Sequence, residues 1–459
     1  MSRSFADEFL EEISSFGTKT ALIWRGDEIS FEKFGKLVKN WAAVFQRVAG
    51  KSTDPLRIAL FSTNSPDIVA IILASQLLGI TVIPLNPSYK TYEITEYLQK
   101  SNANFIIVSD DVDLAMFEDI DIHLISELLM EPRKEFEETF ETSGAIVFFS
   151  SGTTGPPKLF EYTQKILCCQ IDQIRVIQAD PSFFSPGQHD ICYGVLPFFH
   201  AGGLITVLSM LFSGCTILIN ERWNEQEFLA NCQNFRVSVL FLVPPVLNFL
   251  AHHPLVSSFD LSALKTIYVG AAASPPENFS KVSKRIPGLE NLIQLYGTTE
   301  CGVLLCSTRK GIASGSTVGL PYPFVEIKVD PKNMEIMMKS PTAVEEGFME
   351  TGDLGCFRGI ELAIVGRSKE MMKIRGWQVN PNEIEDVMRR VKGVVDCAVY
   401  QHPISSLLIA KVIGNPDTKE EIMTMVKDNL ASYKRLDEVV FVTELPRNPS
   451  GKLVRHLLQ

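Results

Sequence analysis

The sequence predicts an α/β protein. A large N-terminal domain of mixed, mostly parallel sheets with helices carries a small β subdomain, and a small mobile α+β C-terminal domain follows. Three observations predict this. Strand-like apolar runs alternate with helix-length segments between residues 57 and 108, and again between 195 and 269, the pattern of parallel strands joined by helical crossovers. After about residue 310 the segments shorten and glycine and proline punctuate them, until a compact stretch of two helical and two strand-like segments ends the chain. Finally, 459 residues exceed one ordinary core, and at about 100–200 residues per domain the chain holds two to four units.

In chain order, residues 20–24 form a short strand, Gly26-Asp27 turns, and Ser30 stands as a cap before Phe31, Phe34, Leu37, Val38, Trp41 and Phe45, spaced as one face of a helix. Residues 57–61, 81–85 and 105–108 read as strands, with helices over 66–78 and 92–101 between them. Further on, 195–197 ends a strand, 202–212 is an apolar helix, and 215–219, 237–243 and 266–269 are extended. The segment 319–353 suits the small β subdomain, about 310–367. Beyond it, 382–391 and 419–430 are helical and 394–400 and 407–413 extended. The expected domains are therefore 1–367 and 368–459.

Composition narrows the function. Apolar residues make up 46% and charged residues 21%, the balance of a globular protein. A net charge of −11 argues against a nucleic-acid or anionic-membrane surface. Nine cysteines with no C-x-x-C pair read as reduced thiols of a cytoplasmic protein. The acidic start, with Asp7, Glu8, Glu11 and Glu12, is unlike a basic signal peptide. Neither of the apolar runs 68–84 and 237–250 offers the ~20 uninterrupted residues of a membrane span, so no transmembrane segment is expected.

Five stretches carry chemistry. Residues 145–149 lead into Ser150-Ser151-Gly152-Thr153-Thr154-Gly155-Pro156-Pro157-Lys158, whose glycines, hydroxyls and lysine suit a polyphosphate. Pro156 and Pro157 exclude the P-loop, which needs a lysine directly after the second glycine. Leu196-Pro197-Phe198-Phe199-His200-Ala201-Gly202-Gly203 sets a histidine at a strand end. Tyr296-Gly297-Thr298-Thr299-Glu300 offers an aromatic face, a glycine allowing close approach, two hydroxyls and a carboxylate able to hold Mg2+. Thr351-Gly352-Asp353 presents a carboxylate to a ribose diol, and Pro446-Arg447-Asn448-Pro449-Ser450-Gly451-Lys452 a lysine on a loop near the end of the chain. Each alone is as well explained by an ordinary turn.

Together and in this order, the five stretches resemble the adenylate-forming superfamily of acyl- and aryl-CoA synthetases, luciferases and peptide-synthetase adenylation domains. The resemblance covers residues 21–457. It implies that Ser150 to Gly155 and Lys158 close over the β- and γ-phosphates of ATP, and that Tyr296 stacks on adenine opposite Gly270-Ala271-Ala272. Thr299 would contact the α-phosphate, Glu300 would hold Mg2+, and Asp353 and Arg367 would bind the ribose. Lys452 would bridge the acyl carboxylate and the α-phosphate, where a cation acts most strongly as two anions meet. Lys369 is similar to the hinge about which the C-terminal domain turns, withdrawing Lys452 and bringing in Arg375-Gly376-Trp377 for the thiol of coenzyme A, with His200 as its gate.

The implied activity is an ATP- and Mg2+-dependent acid–thiol ligase, making acyl-AMP and then acyl-CoA from a fatty or aromatic acid. The apolar candidates for the acid pocket are Phe198, Phe199, Ala201, Leu304 and Leu305. The rival acceptor is the phosphopantetheine of an acyl carrier protein, which presents the same thiol arm. The sequence departs from the family pattern at Leu159, where glycine is usual, at Gln164, where histidine is common, and in the shortened segment 334–366.

Overall fold

The computed structural model describes residues 4–50, 54–117, 120–130, 136, 143–149, 158–374, 377–403, 405, 407–448 and 452–458, and of Gln378 the backbone alone. Two large sheets dominate. Among the described residues one has nine strands, of which Asn291–Thr298, Thr266–Val269, Val239–Leu242, Ile191–Gly194, Thr216–Ile219 and Thr20–Trp24 run parallel. The other has six, parallel from His123–Leu124 to Ala145–Phe149 and closed by the antiparallel edge strand Leu159–Thr163. In its central strands Thr81–Leu85 and Ala145–Phe149 every residue is buried. Strands covered on both faces read as continuous apolar runs for this reason.

Several helices pack into the core shared by the sheets, Phe31–Ala49, Pro66–Leu77 and Ala201–Phe212 among them. Phe31–Ala49 is capped by Ser30, whose side chain accepts from Lys33 N, and Pro66–Leu77 by Ser65, with proline at its first turn. Pro66–Leu77 and Ala201–Phe212 are buried on almost every side, so neither shows a polar stripe. One core joins Leu60, Val82 and Phe148 of the smaller sheet to Leu22, Ile217 and Phe241 of the larger. A polar relay runs through it. The backbone N–H of Phe5 donates to Gln164 Oε1 at 2.9 Å, Gln164 Nε2 donates to Gln76 Oε1 at 2.7 Å, and Gln76 Nε2 to the carbonyls of Ile80 and Ala145 at 3.3 Å. Gln164 is thus satisfied inside the protein, holding the first helix, Phe5–Ser14, onto the core.

The small β region is the antiparallel sheet of Glu326–Val329, Glu335–Lys339, Met349–Arg358 and Glu361–Arg367. It begins later than the expected 310, because Leu320–Pro321 still pairs at the edge of the nine-stranded sheet. Nor is its core private. Ile336, Met338 and Leu362 pack on Leu305 and Cys306 of the large sheet and on Ile177 and Phe183. From residue 374 onward the chain encloses cores of its own, with helices Pro381–Met388 and Lys419–Asn429 on a sheet of Val394–Gln401, Leu408–Gly414 and the unforeseen strand Glu438–Phe441. Residues 195–197 prove to be loop, the strand before them ending at Gly194. Among the described residues no helix is long and apolar enough to cross a membrane, and all nine cysteines are free thiols.

Candidate active site

Parallel strands of both sheets deliver their carboxyl ends to one cavity of about 1030 Å3. Asn86 to Lys90 follow one such strand, Val195 to Gly203 another, and Val243 and Gly270-Ala271 two more. Open α/β sheets bind ligands at this end of their strands. Ala271 has a φ of +70°, uncommon for a residue with a side chain, and the wall it helps form is held in a strained turn.

Behind the lining residues Leu295, Gly297 and Lys452 a charged constellation forms around Asp353, which with Arg367 does not itself line the cavity. This buried carboxylate lies on the strand Met349–Arg358, where its N–H donates to Thr351 Oγ1 at 3.1 Å and Thr351 Oγ1 donates to the Ile336 carbonyl at 2.9 Å. Arg367, its partner in strand register, gives Nε–H to Asp353 Oδ1 at 2.9 Å, and the Tyr296 hydroxyl donates to Oδ2 at 2.7 Å. Burial, and then the charge of Asp353, hold the Tyr296 phenol well above its usual range. The aromatic, the carboxylate and the guanidinium expected at the nucleotide are thereby brought together. Asp353 and Arg367 bond to each other, and Tyr296 is not among the cavity's lining residues, which here are Leu295, Gly297, Thr298 and Thr299. Packing requires glycine at 297, because a Cβ there would collide with the Val303 carbonyl, and the residue lines the cavity as well.

Lys452 reaches this same cavity from the end of the chain, along with Arg447 and Asn448. Its turn is closed by Asn448 N–H donating to the Lys452 carbonyl and Lys452 N–H to Asn448 Oδ1, both at 2.9 Å. Three residues on, Arg455 ties the segment down through Glu385 Oε1 at 2.6 Å, Asn382 Oδ1 at 2.7 Å and Glu370 Oε2 at 3.1 Å. Burial and then Arg367 push the Lys452 ammonium below the ordinary lysine value, while Asp353, Glu300 and Glu370 pull it back. His200 lines the cavity too. Its Nε2 is buried with no hydrogen-bond partner among the described residues, and burial, then Lys452, push the imidazole down to about 4. It is a neutral ring with an unmet polar atom, a group that a bound ligand would satisfy.

The remaining expected residues divide. Ser150, Ser151, Gly152, Thr153, Thr154, Gly155, Arg375 and Gly376 lie outside the described residues. Lys158 and Lys369 are exposed, as are Ala271 and Ala272, of which Ala271 lines the cavity. Trp377 is 59% exposed and stacks on Tyr433 at 4.9 Å, away from the cavity. Phe199, Ala201 and Leu304 line the wall, but Phe198 and Leu305 are fully buried core residues. Along a strand, neighbours point to opposite faces, so only one of Leu304 and Leu305 could face the acid.

Three side chains escaped the sequence reading. Asn64 fixes the loop that carries His200, donating to the Leu196 carbonyl at 3.0 Å and accepting from Phe198 N–H at 2.8 Å. The buried Tyr162 hydroxyl donates to the Thr299 carbonyl at 2.8 Å. Tyr268, stacked on Phe241, closes the apolar end. An asparagine just past the strand Arg57–Phe61 was a usable signal for the first; the other two look like any core aromatic.

As to metals, the described residues contain no cluster of three or more His, Cys, Asp or Glu side chains able to hold one. A divalent ion here would rest on one protein carboxylate and the substrate's own phosphates, which is how Mg2+ is commonly held. Glu300, close enough to Lys452 to bias its charge, fits that part.

The family model described as AMP-binding enzyme matches residues 9–347, and that of the AMP-binding enzyme C-terminal domain matches 383–452. 4-Coumarate–CoA ligase 3 of Arabidopsis thaliana is 30% identical over 97% of this chain and 89% of its own length. Among solved structures, the anthranilate CoA ligase AuaEII in complex with anthranoyl-AMP shares the fold with a TM-score of 0.87 at 20% identity, over 99% of this chain and 96% of that one. The o-succinylbenzoate CoA synthetase MenE of Bacillus subtilis does so at 0.83 and 21%, over 98% and 97%.

Proposed function

The chain belongs to the AMP-binding enzyme family, and we propose that it activates an apolar, preferably aromatic, carboxylic acid as its adenylate and passes the acyl group to coenzyme A at a single cavity. It is an AMP-forming acid–CoA ligase using ATP and Mg2+. The observation that carries the residue roles is the position of Lys452, which stands in one cavity with His200, Thr298 and Thr299 on one side and apolar wall on the other.

In the first half-reaction a carboxylate oxygen attacks the α-phosphorus and pyrophosphate leaves. Two anions converge, so the Lys452 ammonium between them counts for more in this half-dry site than in water. The Thr299 hydroxyl, its backbone fixed by Tyr162, is the donor beside the α-phosphate. Tyr296 offers its ring to adenine, with Gly270 and Ala271 opposite, while Asp353 accepts from the ribose hydroxyls and Arg367 keeps that carboxylate aligned. Ser150 to Lys158 cover the departing phosphates. Mg2+ held at Glu300 would neutralise charge on the phosphates.

In the second half-reaction the thiol attacks the acyl carbon and AMP leaves. His200, neutral at physiological pH, gates the thiol without adding a second cation next to Lys452. The body from residue 368 turns about Lys369, an exposed residue between the anchored Arg367 and Glu370, and takes Lys452 out as the face with Arg375, Gly376 and Trp377 comes in. Coenzyme A is the acceptor favoured here because the named relatives are CoA ligases; a carrier-protein phosphopantetheine is the alternative. The test is acid-dependent ATP–pyrophosphate exchange over a panel of cinnamates, benzoates and fatty acids, followed by thioester formation with free CoA and with a loaded carrier protein. Exchange with an aromatic acid and thioester with free CoA are expected. Absence of exchange with every acid would overturn the reading.

A further inference from the structure

The apolar end of the cavity stops at a single ring. Phe241 lies on the strand Val239–Leu242, where alternation sends Leu240 and Leu242 into one core and Phe241 toward the helix Ala201–Phe212. It is 8% exposed, and that exposure faces the cavity. Phe241 is stacked on its register partner Tyr268, centroids 4.5 Å apart and planes 3° from parallel. Tyr268 cannot swing away, because its hydroxyl donates to the Phe184 carbonyl at 2.8 Å. Behind Phe241 lies a separate void of about 10 Å3, bounded by Val207, Met210 and Ile217, and the two spaces share Val195, Leu196, Gly203, Thr206 and Phe241 as their partition, of which Phe241 is the one aromatic ring. The one hydroxyl on that partition is already used, Thr206 donating to the Gly202 carbonyl at 2.6 Å. Such a void is too small and too apolar to hold water. It is an apolar space next to the pocket, and the Phe241 ring is the largest side chain standing between the two.

We propose that Phe241 is the depth stop of the acid pocket, the side chain that sets the greatest length of acid the enzyme accepts. This rests on the reading of the cavity as the acid site. Removing the phenyl group frees room for roughly three to four methylenes and joins the void to the pocket, so an acid tail could run on beneath the helix. Each methylene that gains a place is worth about fourfold in kcat/KM.

The experiment compares the wild type with Phe241→Ala and the milder Phe241→Leu over straight-chain and ω-phenyl acids of increasing length. Pyrophosphate release gives kcat/KM, and calorimetry gives the Kd of each acid. The wild type should show a sharp length limit. Phe241→Ala should move that limit outward by about three methylenes, with a gain above 10-fold for the longer acids, and Phe241→Leu by less. A gain of activity cannot come from poor folding, and the two variants guard against collapse of either. An unmoved limit in folded variants that still use the best wild-type acid overturns the proposal. If the wild type turns over no acid at all, the functional reading fails on its own, and the Kd series still decides the role of Phe241.

Discussion

The two ends of the cavity are built on opposite principles. At the charged end, where Lys452 lines the cavity and the others stand behind the lining, Tyr296, Asp353, Arg367 and Lys452 come from separate segments; directed bonds of 2.7–2.9 Å hold the first three, and the turn on Asn448 holds Lys452. At the apolar end Phe241, Tyr268, Gly202 and Gly203 are held by packing, with one hydroxyl on the Phe184 carbonyl. A directed bond fixes a chemical group at a point, whereas packing fixes only a volume. Under the proposed function, the charged end serves one invariant partner, the nucleotide, and the apolar end can be retuned for different acids without disturbing it.

The largest effect should come from deleting the cation. Lys452→Ala is expected to slow acyl-AMP formation by ~10²-fold or more while leaving thiolysis of supplied acyl-AMP largely intact, as exchange and thioester assays run separately would reveal. Equal loss of both half-reactions would erase the proposed division between the ends. The titration adds a sign. With the ammonium held below 10.5 by burial and Arg367, the alkaline limb of kcat/KM for adenylation, which reports the free enzyme, falls below that value. Lys452→Arg, always charged, abolishes the limb.

The same contrast explains what the sequence made legible. Chemistry at the charged end demands particular residue types, so Glu300, Asp353 and Lys452 stood out in short motifs and Arg367 through the family resemblance, and the charges of Glu300, Asp353 and Arg367 all bear on Lys452. The α/β alternation was legible because strands buried on both faces leave long apolar runs, and residues 20–24, 57–61, 81–85 and 105–108 are strands in the fold. The apolar end was not legible, because a pocket wall and a core use the same side chains. Phe199 and Leu304 reach the cavity while their neighbours Phe198 and Leu305 do not, and which faces the acid depends on a register that composition does not encode. Glu438–Phe441 was missed for a similar reason: a four-residue strand added parallel to Leu408–Gly414 carries too short an apolar pattern to separate from a loop.

Within the apolar end, adjacent glycines give the next test. A Cβ on Gly203 would collide with the Pro197 carbonyl, whereas one on Gly202 meets nothing within 4 Å. Gly203→Ala should destabilise by about 1–3 kcal/mol through overpacking. Gly202→Ala, in the first turn of Ala201–Phe212, should stabilise by up to about 0.5–1 kcal/mol and narrow the pocket. Denaturant unfolding of both, with kcat/KM on the preferred acid for the second, checks this. Similar stabilities for the two variants would mean that the helix start has more play than the packing implies.

The smallest expected effect lies where the two ends meet, at His200. Its imidazole is pushed down to about 4 in the folded protein, first by burial and then by Lys452, against an ordinary 6.5 in the unfolded chain. Between these values the unfolded state binds the proton and the folded state does not, so the contribution of His200 is fully present above pH 6.5 and is lost as pH falls toward 4. In that window the wild type should lose on the order of 1 kcal/mol more than His200→Gln by pH 5, read as the difference between their unfolding free energies at pH 7 and 5. Lys452→Met removes the second cause and leaves the first, so it should shrink that excess without cancelling it. Parallel pH profiles for the wild type and His200→Gln would mean that the ring is open to water. An excess untouched by Lys452→Met would mean that the terminal lysine does not reach His200 in solution, and the two ends would then be chemically separate.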